Sequence, residues 1–127
     1  MHELSLNDYQ TMARTLAMYR EKVRVLVETG DKEDLIDLLC LCYSVLGLAG
    51  EAGELANKLK KVIRDKNGIM SAEAREDFSR ELGDTLWYQA DVASNLGIGL
   101  TSVGQGNLIK LQSRAERGVL GGSGDNR

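Results

Sequence analysis

Apolar side chains recur at steps of three and four residues along most of the chain, which is the spacing of one face of an α-helix. The first predicted helix begins after an N-cap at Ser5 and ends at Gly30. Its apolar positions are Tyr9, Met12, Leu16, Tyr19, Val23 and Leu26. The second predicted helix begins within residues 31–34 and ends before the turn at Asn67 and Gly68. Both segments are therefore expected to form helices that bury one apolar face.

The second half of the chain continues the helical pattern. A third helix is predicted after an N-cap at Ser71, and it ends at Leu96, with Gly97 closing it. A fourth helix is predicted over residues 101–117, with an apolar side formed by Val103, Leu108, Leu111 and Ala115. The chain has no proline and only short β-branched runs, so no strand is predicted.

These elements define the expected fold class and domain organisation. Four helices with short links predict an all-α, four-helix, bundle-like domain over residues 1–118. Residues 119–127 read VLGGSGDNR, a glycine-rich C-terminal tail for which no regular structure is predicted. No internal repeat or linker divides the sequence, so a single domain is expected.

Composition and charge narrow the class of protein. Hydrophobic residues make up 43% and charged residues 28% of the 127-residue chain, which are ordinary values for a soluble globular protein. The sequence starts without a signal-peptide pattern, and no apolar run approaches the roughly 20 residues of a membrane span, so we expect a cytoplasmic protein without membrane contact. The net charge of −3 gives no reason to expect nucleic-acid binding, but a metal ion could still bring in a negatively charged small ligand. Cys40 and Cys42 are expected to be reduced, largely buried thiols.

The stretch GLAGEAGELANKLKK, residues 47–61, combines glycines and acidic residues inside a predicted helix. Each glycine costs about 1 kcal/mol relative to alanine in a helix, and the helix could bend or break at Gly47 or Gly50. Two interpretations stay open at this point. The small residues serve tight helix packing, or they let backbone and ligand approach the acidic side chains closely.

Polar side chains repeat one spacing, with offsets of three, seven and ten residues, on the last three predicted helices. At about 100° per residue these positions fall within one quadrant of a helix. The second helix carries Glu51, Glu54, Lys58 and Lys61, the third carries Glu81, Asp84, Tyr88 and Asp91, and the fourth carries Asn107, Lys110, Arg114 and Arg117. Two helices thus have an acidic edge, and the fourth has a basic edge.

Each edge alone could be an ordinary solvated helix face with a few salt bridges. Acidic residues one turn apart repel each other, however, so four carboxylates that converge from two helices need a cation. Carboxylates without histidine or cysteine suit a hard ion, and we predict Mg²⁺, with Mn²⁺ as a substitute. Such an ion completes its shell with water and substrate phosphates, which the basic edge would then contact.

At these residues the sequence resembles a known family. GLAGEAGELANKLKK followed by SRELGDTLWYQADVASNLGI is similar to the MazG-like nucleotide pyrophosphohydrolases, part of the all-α NTP pyrophosphatase group. The family pattern is E-x-x-E on one helix and E-x-x-D on the next, met here by Glu51, Glu54, Glu81 and Asp84. The segment NLIKLQSRAERG and the tail GGSGDNR also resemble parts of small stand-alone members, so the resemblance covers roughly residues 40 to 127.

The resemblance implies hydrolysis of a nucleoside triphosphate between its α- and β-phosphates, which yields a monophosphate and pyrophosphate. The catalytic and metal-binding residues are then Glu51, Glu54, Glu81 and Asp84. Side chains expected to contact substrate are Lys58, Lys61, Tyr88, Asn107, Lys110, Arg114, Arg117 and Arg127. The resemblance also implies a homodimer or homotetramer with sites near subunit interfaces, and it favours deoxynucleotides without indicating the base.

Other interpretations of the same residues stay open. A carboxylate-bridged di-iron bundle normally uses Glu-x-x-His, and the sole histidine, His2, is far from both acidic pairs. A non-catalytic helical adaptor or nucleotide-binding module would bind without hydrolysis. Trp87 and Tyr88 fit either a base-stacking surface or a core, and Asp91 fits either a further ligand or a salt-bridge partner. The tail fits either a disordered terminus or a flap whose glycine backbone and Arg127 contact phosphates.

Overall fold

The computed structural model describes residues 5–119 and 121. In that part of the chain it has five α-helices and no strand, which confirms the all-α class. The helices are α1 (Leu6–Thr15), α2 (Tyr19–Thr29), α3 (Lys32–Asp65), α4 (Ala72–Asn95) and α5 (Leu100–Glu116). Contacts within the chain define two units, Met1–Leu38 and Leu39–Arg127, so the boundary between them falls inside α3.

The first predicted helix is two helices, α1 and α2. Ser5 starts α1 as predicted, because its hydroxyl accepts a hydrogen bond from the Asp8 N–H at 3.1 Å. The Asp8 carboxylate accepts a bond from the Ser5 N–H in return, also at 3.1 Å, which completes a capping box. Leu16 is the C-cap of α1, and its N–H donates to the Ala13 carbonyl at 3.1 Å. No glycine or proline marks this break, so apolar spacing alone predicts one helix where the structure has two.

α3 is one continuous helix of 34 residues that includes three glycines. Asp31 caps its start, because its carboxylate accepts a hydrogen bond from the backbone N–H two residues later at 2.8 Å. The predicted turn follows its end, where Asn67 and Gly68 have positive φ angles of 51° and 75°. The break considered at Gly47 or Gly50 therefore does not occur in α3.

The composition of α3 bears on the prediction of no membrane contact. The helix contains an 18-residue window with a mean hydropathy of 1.7, so by length and composition alone it could cross a membrane. Mostly buried core helices of soluble proteins and signal sequences near an N-terminus pass the same test, so one such helix is weak evidence of a span. Charged residues keep every uninterrupted apolar run short, which is why run length alone predicts no span. Only 6% of the window is buried within the described part of the chain.

In the second unit, α4 and α5 begin and end close to the predicted residues. The Ser71 hydroxyl caps α4 by accepting a hydrogen bond from the backbone N–H three residues later at 3.1 Å. Leu96 is the C-cap of α4, and Gly97 follows it with a φ of 64°. α5 contacts α4, and Gly118 after its end has a φ of 68°. The predicted bounds of both helices are thus confirmed to within one residue.

α3 and α4 lie antiparallel along one seam in the second unit. Observed contacts pair Ser44 with Asp91, Gly47 with Tyr88, and Lys58 with Glu81. Residue numbers rise along α3 while they fall along α4, which is possible only for antiparallel helices. This seam brings the two predicted acidic edges together.

Few apolar side chains are buried in the described part of the chain. Its buried hydrophobic residues are Val62 and Ala93. The predicted burial of the thiols is wrong, because Cys40 and Cys42 are both exposed and unbridged. Many large apolar side chains of the second unit are exposed in the same way, among them Leu39, Tyr43, Leu46, Leu86, Trp87, Leu108 and Ile109. Few residues of the described part therefore pack against these faces of the helices.

Candidate functional site

Three carboxylates from α3 and α4 meet on the seam between these helices. One oxygen from each of Glu51, Glu81 and Asp84 lies within 4.8 Å of the others, and we call these residues the acidic group. Glu51 and Glu81 are partly buried, whereas Asp84 is exposed. Glu54 is exposed one turn further along α3 and is not part of this group. The structure thus brings together three of the four acidic residues that the spacing singles out.

Partial burial and mutual repulsion disfavour a full negative charge on the acidic group. Burial raises the pKa of Glu51, and the negative charges of Asp84, Glu81 and Glu54 raise it further. A side-chain hydrogen bond with Glu81 adds to the same shift, because it favours the protonated form of Glu51. Three oxygen donors that repel one another match the preference of a hard divalent cation. The donor set therefore fits Mg²⁺ or Mn²⁺.

Lys58 carries a positive charge at the edge of the acidic group. Its Nζ atom lies 3.0 Å from Glu81 Oε1, and the two side chains are 25% and 16% exposed. The hydrogen bond to Glu81 raises the pKa of Lys58, so its ammonium stays protonated. Lys61 and Lys58 both line a cleft of about 300 Å³ formed by the end of α3 and the start of α4. Two lysines next to carboxylates are a suitable environment for phosphate oxygens.

Tyr88 lies against the backbone of α3 beside the acidic group. A Cβ atom at Gly47 would lie 2.1 Å from Cε1 of the Tyr88 ring, so this approach requires a glycine. The ring also meets Trp87 edge-on, with centroids 4.8 Å apart. Burial, the hydrogen-bonded Tyr43 and two carboxylates of the acidic group together raise the pKa of Tyr88. Tyr88 is therefore a neutral hydrogen-bonding side chain next to the carboxylates, whereas Trp87 is exposed.

The glycines of α3 differ in their surroundings. Gly47 is packed against Tyr88, so the helix-packing interpretation holds there. Apart from its neighbours and the adjacent backbone of α3, a Cβ atom at Gly50 or Gly53 would have no heavy atom of the described chain within 4 Å. These two glycines therefore leave open space beside the acidic group.

Asp91 contacts a polar side chain of α3, while its role as a further ligand or a salt-bridge partner stays a prediction. Its carboxylate accepts a hydrogen bond from the Ser44 hydroxyl, and the Asn95 side-chain amide donates to Ser44 Oγ at 3.1 Å. Sequence reasoning misses Ser44 and Asn95. The spacing of the polar edges is a signal in the sequence that could have pointed to Ser44. Ser44 lies seven residues before Glu51, just as Asp91 lies seven residues after Asp84.

The basic edge of α5 is only partly exposed. Asn107 and Lys110 are exposed, whereas the Arg114 side chain is buried, with 8% of the residue accessible. Arg117 donates from Nε to the backbone carbonyl one turn before it at 3.3 Å. Arg127 lies outside the described residues. Contact of this edge with substrate therefore stays a prediction.

Comparisons with known proteins bear on the same segment. A family model described as the MazG nucleotide pyrophosphohydrolase domain matches residues 43–119. Gene 37 protein of Mycobacterium phage L5 is 56% identical over 87 residues, which cover 68% of this chain and 76% of that protein. No solved structure shows a significant match. The matched segment contains the acidic group, Glu54 and the basic edge of α5. The chain therefore belongs to the MazG nucleotide pyrophosphohydrolase family.

Proposed function

We propose that the protein hydrolyses nucleoside triphosphates between the α- and β-phosphates, releasing a nucleoside monophosphate and pyrophosphate. The observation that carries this proposal is the convergence of the Glu51, Glu81 and Asp84 carboxylates within 4.8 Å. Membership of the MazG family supports nucleotides as the substrate class. The family resemblance also leads us to propose deoxynucleotides as the preferred substrates.

The proposed cofactor is Mg²⁺, for which Mn²⁺ would substitute. Glu51, Glu81 and Asp84 would hold the ion, because they are oxygen donors whose mutual repulsion a cation relieves. When bound, the ion supplies Lewis acidity toward phosphate oxygens and water. Glu54, one turn from Glu51, is the fourth acidic side chain of the proposed site and would accept a proton from the attacking water.

Other side chains of α3 and α4 would bind the substrate. Lys58 and Lys61 offer positive charge to the phosphate oxygens, on which negative charge develops in the transition state. Tyr88 offers a neutral hydroxyl and a ring face to the sugar or base. The open space beside Gly50 and Gly53 would let the substrate reach the carboxylates without a clash.

The basic edge of α5 and the tail would complete the contacts with the phosphates. The proposed contact residues are Asn107, Lys110, Arg114, Arg117 and Arg127. The first four support the proposal through their charge or amide group and through their place in the segment matched by the family model. Arg127 supports it through its charge alone, at the end of a glycine-rich segment.

We propose further that the active protein is a homodimer or homotetramer. Leu39, Leu46 and Trp87 are each more than half exposed, although such residues are usually buried in stable proteins. Burial of these side chains between subunits would supply apolar contacts that the described chain lacks. Sedimentation equilibrium tests the proposal, and a fully active monomer at micromolar concentration would refute it.

The same apolar surface bears on localisation. We place the protein in the cytoplasm because members of this family are soluble enzymes. The apolar side of α3 would then be covered by another protein subunit and not by lipid. Ultracentrifugation of a cell lysate checks this prediction. Recovery of the protein in the membrane pellet, released only by detergent, would contradict it.

Incubation with each common NTP and dNTP in the presence of Mg²⁺, followed by chromatography of the products, tests the proposed reaction. Monophosphate and pyrophosphate are the expected products. Diphosphate and orthophosphate would instead show attack at the γ-phosphate. Asp84→Asn should lack turnover, whereas Glu28→Gln, which changes an exposed acid of α2, should retain it. Nucleotide binding without turnover by the wild type would favour a nucleotide-binding module.

A further inference from the structure

A polar cluster centred on the buried Ser44 lies on the seam between α3 and α4, about two turns from the acidic group. Ser44 has no exposed surface, and its hydroxyl can donate to the Asp91 carboxylate or to the Cys40 carbonyl 3.0 Å away. The Asn95 side-chain amide donates to Ser44 Oγ at 3.1 Å and to the Asp91 backbone carbonyl at 3.0 Å. We call Ser44, Asp91 and Asn95 the Ser44 cluster.

The Ser44 cluster lies on the same line of facing residues as the acidic group. Steps of three and then four residues lead along α3 from Ser44 to Glu51. The same steps lead backward along α4 from Asp91 to Asp84. Between them, the Tyr88 ring lies against the backbone of α3. One register of the two helices therefore satisfies the Ser44 cluster, the Tyr88 contact and the acidic group together.

The burial of Ser44 makes the hydrogen bond between Ser44 and Asp91 sensitive to this register. Without Asp91, the buried Ser44 hydroxyl would keep only the Cys40 carbonyl of its own helix, and the partly buried Asp91 carboxylate would lose the hydrogen bond that Ser44 donates, which is unfavourable. Sliding α4 by one turn, about 5.4 Å, would separate Ser44 from Asp91. Apolar contacts along a seam tolerate such a shift better, because hydrophobic burial has no preferred direction. Fixing the register is the best-attested role of buried polar residues between helices.

We propose that Ser44, Asp91 and Asn95 are positioning residues that hold α3 and α4 in the register at which the acidic group forms. They thereby set the affinity of the acidic group for a divalent cation. The effect on affinity rests on the proposed function, whereas the effect on register does not. Ser44 itself cannot be a ligand for substrate, because it has no accessible surface.

Two variants and one matched control test this proposal. Ser44→Ala removes the central hydroxyl, and Asp91→Asn is a milder change that keeps the size of the side chain. Ser94→Ala is the control, because the Ser94 hydroxyl also donates to a backbone carbonyl one turn back, at 2.9 Å, but at an exposed position. Asp91→Asn decides the question if Ser44→Ala does not fold.

Two measurements separate positioning from a merely structural role. Calorimetric titration gives the Kd for Mn²⁺, and fluorescence in the presence of a chelator gives the emission of Trp87, the only tryptophan. Trp87 reports on the register, because its ring contacts Tyr88, which lies against α3. Both measurements are made at a temperature where far-ultraviolet circular dichroism shows wild-type helicity for every variant.

Ser44→Ala and Asp91→Asn should each weaken Mn²⁺ binding by at least about tenfold and shift the Trp87 emission, whereas Ser94→Ala should change neither. A lower melting temperature with unchanged Kd and unchanged emission would overturn the inference. If the wild type binds no Mn²⁺, the proposed cation site fails, and with it the effect on affinity. In that case only the Trp87 emission tests whether the cluster holds the register. A shifted emission in Ser44→Ala and Asp91→Asn supports the positioning role, and an unchanged spectrum refutes it.

Discussion

Gly47→Ala tests the closest approach in the site, which is that of the Tyr88 ring to the backbone of α3. The added Cβ atom would lie 2.1 Å from Tyr88 Cε1 and 2.3 Å from Cζ, while ordinary contact begins at 3.4 Å. The ring must therefore retreat by at least 1.3 Å, the difference between 3.4 and 2.1 Å. The contact with Trp87 and the hydrogen bond with Tyr43 oppose this movement.

Two effects of opposite sign determine the change in unfolding free energy. Alanine is favoured over glycine inside a helix by about 1 kcal/mol, while overpacking costs about 1–3 kcal/mol. Gly50→Ala is a matched control in the same helix, because a Cβ atom there meets no described heavy atom within 4 Å beyond its chain neighbours and the adjacent backbone of α3. The difference between the two variants thus isolates the overpacking. It should amount to about 1–3 kcal/mol, with about 4 °C in melting temperature for each kcal/mol.

Thermal unfolding followed by circular dichroism measures this difference in wild type and both variants. Gly50→Ala should melt above the wild type, and Gly47→Ala should melt well below Gly50→Ala. Adding Tyr88→Ala to Gly47→Ala should remove most of the penalty, because the clashing ring is then absent. Equal melting temperatures of Gly47→Ala and Gly50→Ala would show that Tyr88 does not lie over Gly47, and would refute the reasoning.

Three further predictions concern the acidic residues and the tail. Asp84→Asn and Glu54→Gln should each abolish turnover with unchanged helicity, and activity retained by either variant in saturating Mg²⁺ would contradict the proposed site. In chelator, the raised pKa of Glu51 stabilises the folded chain below about pH 4.5, the ordinary pKa of glutamate, and this stabilisation is lost as pH rises through the folded value. Wild type should therefore lose stability relative to Glu51→Gln over that interval. A difference in unfolding free energy between the two proteins that does not change with pH would rule this out. Removal of residues 120–127 should lower kcat/KM at least tenfold, which corresponds to about 1.4 kcal/mol of transition-state stabilisation. Unchanged kinetics of the truncated protein would contradict this prediction. The melting temperature should hardly change, because this truncation keeps the Val119 N–H that donates at 2.9 Å to a carbonyl of the last turn of α5.

Local signals in the sequence predict the helix ends well. Ser5 and Ser71 both cap helices through hydrogen bonds to residues three positions later. Asn67 and Gly68 form the predicted turn with positive φ angles. Interactions of this kind involve only a few neighbouring residues, so they depend little on the rest of the fold. Helical periodicity similarly predicts that Glu81 and Asp84 share one face of α4.

Features that depend on what lies opposite a helix are not predictable in this way. The exposure of Cys40 depends on how much of the chain packs against α3, which the sequence of α3 does not contain. The Tyr88 contact at Gly47 and the bond between Ser44 and Asp91 depend on the register of α3 against α4. Spacing within one helix shows which residues share a face, but it does not show how far the partner helix is shifted. The break between α1 and α2 is a different failure, because no glycine or proline marks it.

Val62 and Ala93 are the buried hydrophobic residues of the described chain, so a single chain removes little apolar surface from water. Hydrophobic burial is the dominant favourable contribution to folding, and in the proposed oligomer most of it would come from association. Folding and assembly would then share one equilibrium that obeys mass action, and dilution would lower the melting temperature. Within a cell, doubling the concentration of the protein would then more than double the rate of hydrolysis. The level of expression would thus decide whether the nucleotide pool is affected at all.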